Sequence, residues 1–390
     1  MVNKNQSLLV ASFLPLITLA AIVLVFILFR PSQAASNGTY TVNTTTDTDD
    51  GTCDGTHCSL REAINAANAA AGADTITFTL PPSATSTLAG SQLPTITDTV
   101  TIDGSTAVSL TISANYLSRV FEIGNGTAVT ITTLTISDGV SNYGGAIYKN
   151  DGMLFINNST ISDNLAFIRG GGIYNAGGTV NISDTTFNEN WADLDGGGIY
   201  NEDTMNISNS TISGNGVPIL VGPTLGGGIY NIGTMDIRNS TLSGNFGSNW
   251  HDDAWGGGIY NEGTLNMYNT IIANSIGGGD CAGTGSIGVN INNLVEDGSC
   301  SPAFTGDPLL DPLQDNGGPT WTHALSSISL AVDNGDNATC AAPPVNNLDQ
   351  RGVTRPLDGD GDGTAVCDIG AYEYDGPPPM KFFLPGIFRN

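Results

Sequence analysis

Two short stretches carry residue types that could do chemistry. The first is His251-Asp252-Asp253, set between Trp250 and Trp255. An imidazole beside two carboxylates could do acid–base work on a glycosidic bond, and indole faces can stack on sugar rings. Asp193 and Asp195 occupy the equivalent, shorter segment two repeats earlier and join the tryptophans as candidate binding residues. The second stretch is Asp358-Gly359-Asp360-Gly361-Asp362-Gly363. Its Asp-x-Asp-x-Asp-Gly spacing can wrap carboxylate oxygens around calcium. Ile369 stands where such a loop places its bidentate glutamate, so Asp368 is the expected fourth ligand. Asp47, Asp49 and Asp50 form a second, sparser acidic loop. Calcium is the one ion the chain suggests, and nothing in it requires a cofactor.

These residues need elements to position them, and a repeat supplies those elements. Gly-Gly-Gly-Ile-Tyr-Asn occurs at Gly170–Asn175, Gly196–Asn201, Gly226–Asn231 and Gly256–Asn261, with a looser copy at Gly144–Lys149. The tyrosines Tyr148, Tyr174, Tyr200, Tyr230 and Tyr260 recur after 26, 26, 30 and 30 residues. A period of this size means one supersecondary unit stacked on itself. Three short strands per period predict an all-β solenoid, a parallel β-helix whose coils hydrogen-bond along the axis. Strand parity then sets the faces. With Ile147, Ile173, Ile199, Ile229 and Ile259 inward, the tyrosines point outward, and Asn175, Asn201, Asn231 and Asn261 point inward to bond from coil to coil. The glycines supply a sharp corner through positive φ. Between the last turn Asn and the next triple Gly lie five residues in two coils, Leu165–Arg169 and Trp191–Asp195, but ten in the next two, Gly216–Leu225 and Phe246–Trp255. The long pair should stack into one flap, the usual place for binding on a solenoid.

The flanks divide the chain further. Residues 1–34 join Lys4, an apolar run from Leu8 to Phe29 and a Ser32-Gln33-Ala34 cleavage pattern. They read as a signal peptide or as an N-terminal membrane anchor. Either places the remainder outside the membrane, at the cell surface or in the extracellular space. In residues 35–80, Ser59 and Glu62 form a capping box opening a helix with Leu60, Ala63, Ile64 and Ala67 on one face. Such a helix can cover the end of a solenoid core. Residues 81–306 hold the solenoid, regular over 140–276. Residues 307–375 change character, and 376–390 form a Pro spacer and an apolar-basic tail. Six cysteines allow fifteen pairings; the simplest joins sequence neighbours, Cys53–Cys58, Cys281–Cys300 and Cys340–Cys367.

The formal net charge of −26 excludes a partner bound through phosphate neutralisation, so no nucleic acid is expected. Any membrane contact should run through the N-terminal segment or the C-terminal tail alone, and the molecule should be a monomer.

Cys58-Ser59-Leu60-Arg61-Glu62-Ala63, with the acidic loop before it, resembles the motif of the CSLREA-type bacterial surface proteins. Asp315–Thr320, Asp349–Gly352 with Arg355-Pro356, and Cys367–Glu373 together resemble the choice-of-anchor region, Q type, that follows β-helices in such proteins. The resemblance implies an exported bacterial protein with a right-handed, pectin-lyase-like parallel β-helix and no established catalytic chemistry. The expected role is non-catalytic: adhesion, surface structure, or binding of an extracellular glycan or cell-envelope component. The alternative is a polysaccharide lyase or glycoside hydrolase acting on the long-loop side through His251, Asp252 and Asp253. The regular coils lack a stacked pair of aspartates on one face, which favours the non-catalytic reading.

Overall fold

Each regular coil starts at a triple glycine, and the three glycines answer to two different constraints. The first of each, Gly170, Gly196, Gly226 and Gly256, has φ between +63° and +66°, and Gly144 of the looser Gly-Gly-Ala copy has φ +61°. The second and third have no positive φ. A Cβ on Gly197 would meet the Gly216 and Gly227 carbonyl oxygens at 2.3 and 2.5 Å, and one on Gly198 would meet the Gly228 oxygen at 2.8 Å. The expected corner explains only the first glycine, while the other two exist because neighbouring coils press backbone against backbone.

The computed structural model describes residues 37–107, 109–218, 224–247 and 254–376. The expected leader at 1–34, the tail beyond 376 and the stretch from Trp250 to Asp253 lie outside the described residues. Among those described, no helix is long and apolar enough to cross a membrane.

The chain is a right-handed parallel β-helix. Three sheets run along it: ten strands of four to six residues from Thr39–Val42 to Ser286–Ile291, nine from Ala84–Thr87 to Leu294–Val295, and seven from Phe121–Ile123 to Cys281–Ala282. We call the second the hydroxyl sheet, for its outward Thr and Ser, and the third the Ile-Tyr-Asn sheet. The regular coils add a fourth, five-stranded sheet of short strands from Val140–Tyr143 to Phe246–Gly247, one more per turn than the sequence pattern predicts.

Pairing is in register, Ile147 to Ile173, Ile199, Ile229 and Ile259 in turn, and all five side chains are fully buried. Each such burial contributes roughly 2 kcal/mol. The polar corners are ladders as well. Asn175 Nδ2 donates to Asn201 Oδ1 at 2.7 Å, Asn201 to Asn231 and Asn231 to Asn261 at 2.8 Å. A second buried ladder, Asn164 to Asn190 to Asn215 to Asn245, turns the chain out of the hydroxyl sheet. Each amide of these two ladders therefore meets a copy one coil away, which offsets much of the cost of burying it.

The ends differ. Helix α1, Leu60–Ala69, has the expected capping box and places Leu60, Ala63, Ile64 and Ala67 in the main core. Arg61 clamps the acidic loop by two bonds to Asp47, 3.0 and 2.7 Å. At the other end residues 307–376, including the short helix α2, Asn337–Ala341, lie back along the hydroxyl sheet. They build a separate apolar cluster in which Leu325, Ala331, Val332 and Ile369 cover Ile271 and Leu294. The three disulfides join Cys53–Cys58, Cys281–Cys300 and Cys340–Cys367, the neighbour pairing.

Candidate functional site

The Ile-Tyr-Asn sheet turns its tyrosines away from the isoleucine core, as parity requires, yet it does not leave them open to solvent. Tyr174, Tyr200 and Tyr230 are 8%, 2% and 6% exposed. From Tyr148 to Tyr260 the ring centroids follow at 5.5, 5.1, 4.8 and 5.4 Å, so each ring covers the next. The Arg119 and Arg169 guanidiniums lie over the Tyr148 and Tyr200 rings at 5.1 and 4.9 Å. Tyr143 and Leu225 close the flank. The Tyr174 and Tyr230 hydroxyls donate to Glu202 and Glu262 at 2.6 and 2.9 Å. Burial pushes the Tyr200 phenol up to about 12, and burial plus a carboxylate raises Tyr174 and Tyr230 further. The reading of these tyrosines as lying outside is corrected: coil stacking brings the rings into contact and the adjoining corner covers them.

Beside this ladder runs the row that holds the candidate binding residues. Tyr143, Arg169, Asp195, Leu225 and Trp255 pair from coil to coil in that order. Asp195 is buried and accepts from Arg169 Nε at 2.8 Å; burial raises its pKa and the guanidinium opposes the rise. It holds the cation over Tyr200 and is not itself open to a ligand. Burial also raises Asp193. Trp255 is 53% exposed, so about half of it is open to solvent. Both long loops leave at paired strands, Gly216–Val217 and Phe246–Gly247, and return at paired strands, Thr224–Leu225 and Ala254–Trp255. Their described ends therefore lie side by side on adjacent coils, as the spacing predicts. Trp250, His251, Asp252 and Asp253 lie between these ends, outside the described residues.

The acidic motif near the C-terminus gathers differently from the expectation. Asp358 and Asp360 converge with Asp333, one carboxylate oxygen of each lying within 4.8 Å of the others. Asp333 Oδ2 accepts from the Asp360 backbone N–H at 2.7 Å, while its Oδ1 is buried without a hydrogen-bond partner. Burial and Asp360 raise the Asp333 pKa. Asp362 turns away to accept from Thr364 N–H at 2.7 Å. Asp368 is spent on the Asp333 and Tyr374 N–H groups at 2.8 and 2.5 Å, and burial beside Glu373 raises its pKa. Thus Asp333, absent from the motif, stands where Asp362 and Asp368 were expected. Motif spacing could not reveal it, because the chain returns from Asp333 only after crossing α2.

In the N-terminal loop the acids also diverge. Asp47 pairs with Arg61, whereas Asp50 groups with His57 and Glu62. Glu62 Oε2 accepts the Ser59 N–H at 2.7 Å and lies 2.9 Å from His57 Nδ1, so this group serves the helix cap.

Residues 184–202 match the family model for the Chlamydia polymorphic membrane protein repeat. That stretch contains one Gly-Gly-Gly-Ile-Tyr-Asn unit. No curated protein matches the chain. Among solved structures, the pectate lyase Pel9A is similar at 14% identity and a TM-score of 0.44, over 88% of this chain and 98% of that one.

Proposed function

We propose that this chain is an exported, non-catalytic β-helix of the cell surface or extracellular space, serving adhesion, surface structure or ligand binding. One observation carries the reading. Among the described residues on the long-loop side, Asp195 is committed to Arg169, Glu202 to Tyr174 and Glu262 to Tyr230, which leaves the exposed Asp193 without a second free carboxylate paired to it. Catalysis on a glycosidic bond needs carboxylates that converge on one point and remain free to exchange protons. Three disulfides suit an oxidising compartment. On this reading Trp255, with Trp250, is the contact for an extracellular glycan, Asp193 lies at its edge, and Asp195 supports them through Arg169.

The test is incubation with pectate and with neutral polysaccharides, followed by assay for unsaturated products and new reducing ends. None is expected. Product that disappears when Asp252 and Asp253 are replaced by Ala would instead establish the lyase or hydrolase alternative.

Calcium belongs to this reading as a structural ion, held by Asp358 and Asp360 with Asp333. Oxygen-only donors on a short loop suit Ca2+ of the weak, extracellular kind. Millimolar Ca2+ should raise the melting temperature and chelator should reverse the rise. An Asp333→Asn variant that keeps the full response would remove Asp333 from the site.

A further inference from the structure

The hydroxyl sheet presents one outward column of hydroxyls along five coils. Thr135, Thr160, Thr186, Thr211 and Thr241 pair in register, and beside them run Ser137, Ser162, Asn188, Ser213 and Ser243. The C-terminal region occupies the later part of this column. Thr186 Oγ1 donates to the Trp321 carbonyl at 2.7 Å, Thr211 Oγ1 to Gln350 Oε1 at 2.7 Å, and Thr241 Oγ1 accepts from Ala371 N–H at 3.0 Å. His323 Nε2 lies 2.9 Å from the Ser213 hydroxyl.

The earlier part of the column is open. Where the C-terminal region stops, Leu313 and Trp321 form one wall of a cleft of about 310 Å3 whose floor is the sheet itself. Thr135, Thr160, Ser162, Asp163 and Asn188 line it. None of these five side chains has a hydrogen-bond partner among the described residues, and neither has the Trp321 indole N–H. Trp321 is 53% exposed.

We infer that this cleft binds an uncharged oligosaccharide, with one sugar ring stacked on Trp321 and its hydroxyls bonded to Thr160, Ser162, Asp163 and Asn188. A flat apolar face beside groups that both donate and accept is complementary to a pyranose, which is apolar on one face and hydroxylated at its rim. The hydroxyl rows recur at the coil spacing of about 4.8 Å, close to the length of one sugar residue, so successive rings meet the same groups. The net charge of −26 and the Asp163 carboxylate disfavour polyanions such as pectate. The cleft lies on a different sheet from the long-loop flank, so it is separate from the Trp255 contact proposed above.

Titration of the full chain with neutral tetrasaccharides of glucose, mannose and N-acetylglucosamine, with tetragalacturonate as the charged control, tests the assignment by calorimetry and tryptophan fluorescence. At least one neutral sugar should bind and the control should not. Trp321→Ala should weaken binding about tenfold with at most a small fall in melting temperature, because a half-exposed ring is removed while the residue 321 carbonyl keeps its bond to Thr186. Thr160→Val, which keeps the shape and removes the hydroxyl, should weaken it about threefold or more. Met153→Ala, at an exposed position on another sheet, should leave it intact. Failure of every neutral sugar, or loss in Trp255→Ala with retention in Trp321→Ala, overturns the assignment; the latter result would support the long-loop contact instead. Binding of an extended Thr/Ser-rich peptide in place of all sugars, abolished by Trp321→Ala, also overturns it.

Discussion

In the regular coils a buried amide bonds to its own copy one turn away; in residues 307–376 it bonds to partners that occur once in the chain. Asn201 takes a hydrogen bond from Asn175 and gives one to Asn231. Gln350 instead joins Thr186, Thr211, Thr320 and the Trp321 carbonyl, reaching two coils of the rod and its own region together. The first arrangement is translational, so one residue type solves the burial problem for every coil and an interior loss strands groups on both sides. The second is a docking contact, and its loss should free one region while the rod persists. Position in the fold, more than the number of bonds, should therefore set the cost of a substitution.

The strongest challenge to this comparison is Asn201→Ala. It leaves Asn175 Nδ2 with the Thr204 carbonyl alone, at 3.3 Å, and strands the Asn231 Oδ1 acceptor in a buried corner; the cost should be about 2–4 kcal/mol in denaturant unfolding. Gln350→Ala should cost less, about 1–3 kcal/mol, with a different signature: limited proteolysis should cut within 307–376 while the coils stay protected. If Gln350→Ala unfolds the whole chain at lower denaturant than Asn201→Ala, the contrast between the two regions fails.

The smallest effect concerns the start of the first ladder. Lys149 occupies the ladder position in the looser repeat, fully buried, and donates its amine to the Gly177 carbonyl. Asn175 Oδ1, which faces back along the ladder, has no partner. Lys149→Asn would extend the ladder by one coil and should add on the order of 1 kcal/mol at neutral pH. A pH series sharpens this. Burial pushes the Lys149 amine down to about 8 from 10.5. Between those values the unfolded chain holds a proton that the folded chain has shed, so wild-type stability should rise with pH across that window. The Asn variant should lose the rise. An unchanged pH slope would show that Lys149 is not the group responsible.

Much of the rod is legible in its residues. The capping box at Ser59 and Glu62, the inward Ile and Asn of each repeat, and the pairing of the two long loops at their described ends follow from local spacing, because each depends on neighbours in sequence or on an equivalent residue one period away. The second and third glycines of each triple were legible only as a corner, since the atoms that exclude their Cβ belong to adjacent coils. The tyrosines were placed on the correct face with the wrong exposure, because parity says which way a side chain leaves a strand and nothing about what covers it. Asp333 carries no signal in the sequence for a related reason: its partners Asp358 and Asp360 come from beyond α2, at no repeating distance.

By itself the sequence determined the coil: its period, its core, and the amide ladder at its corner. A repeat of near-identical units interacts mainly with itself, so its contacts are written in its own spacing. Tertiary structure alone decided which carboxylates meet, which tyrosines are sealed, and which part of the threonine column is left uncovered. Those outcomes depend on where a unique segment comes to rest against the repeated one, and no local period encodes that position.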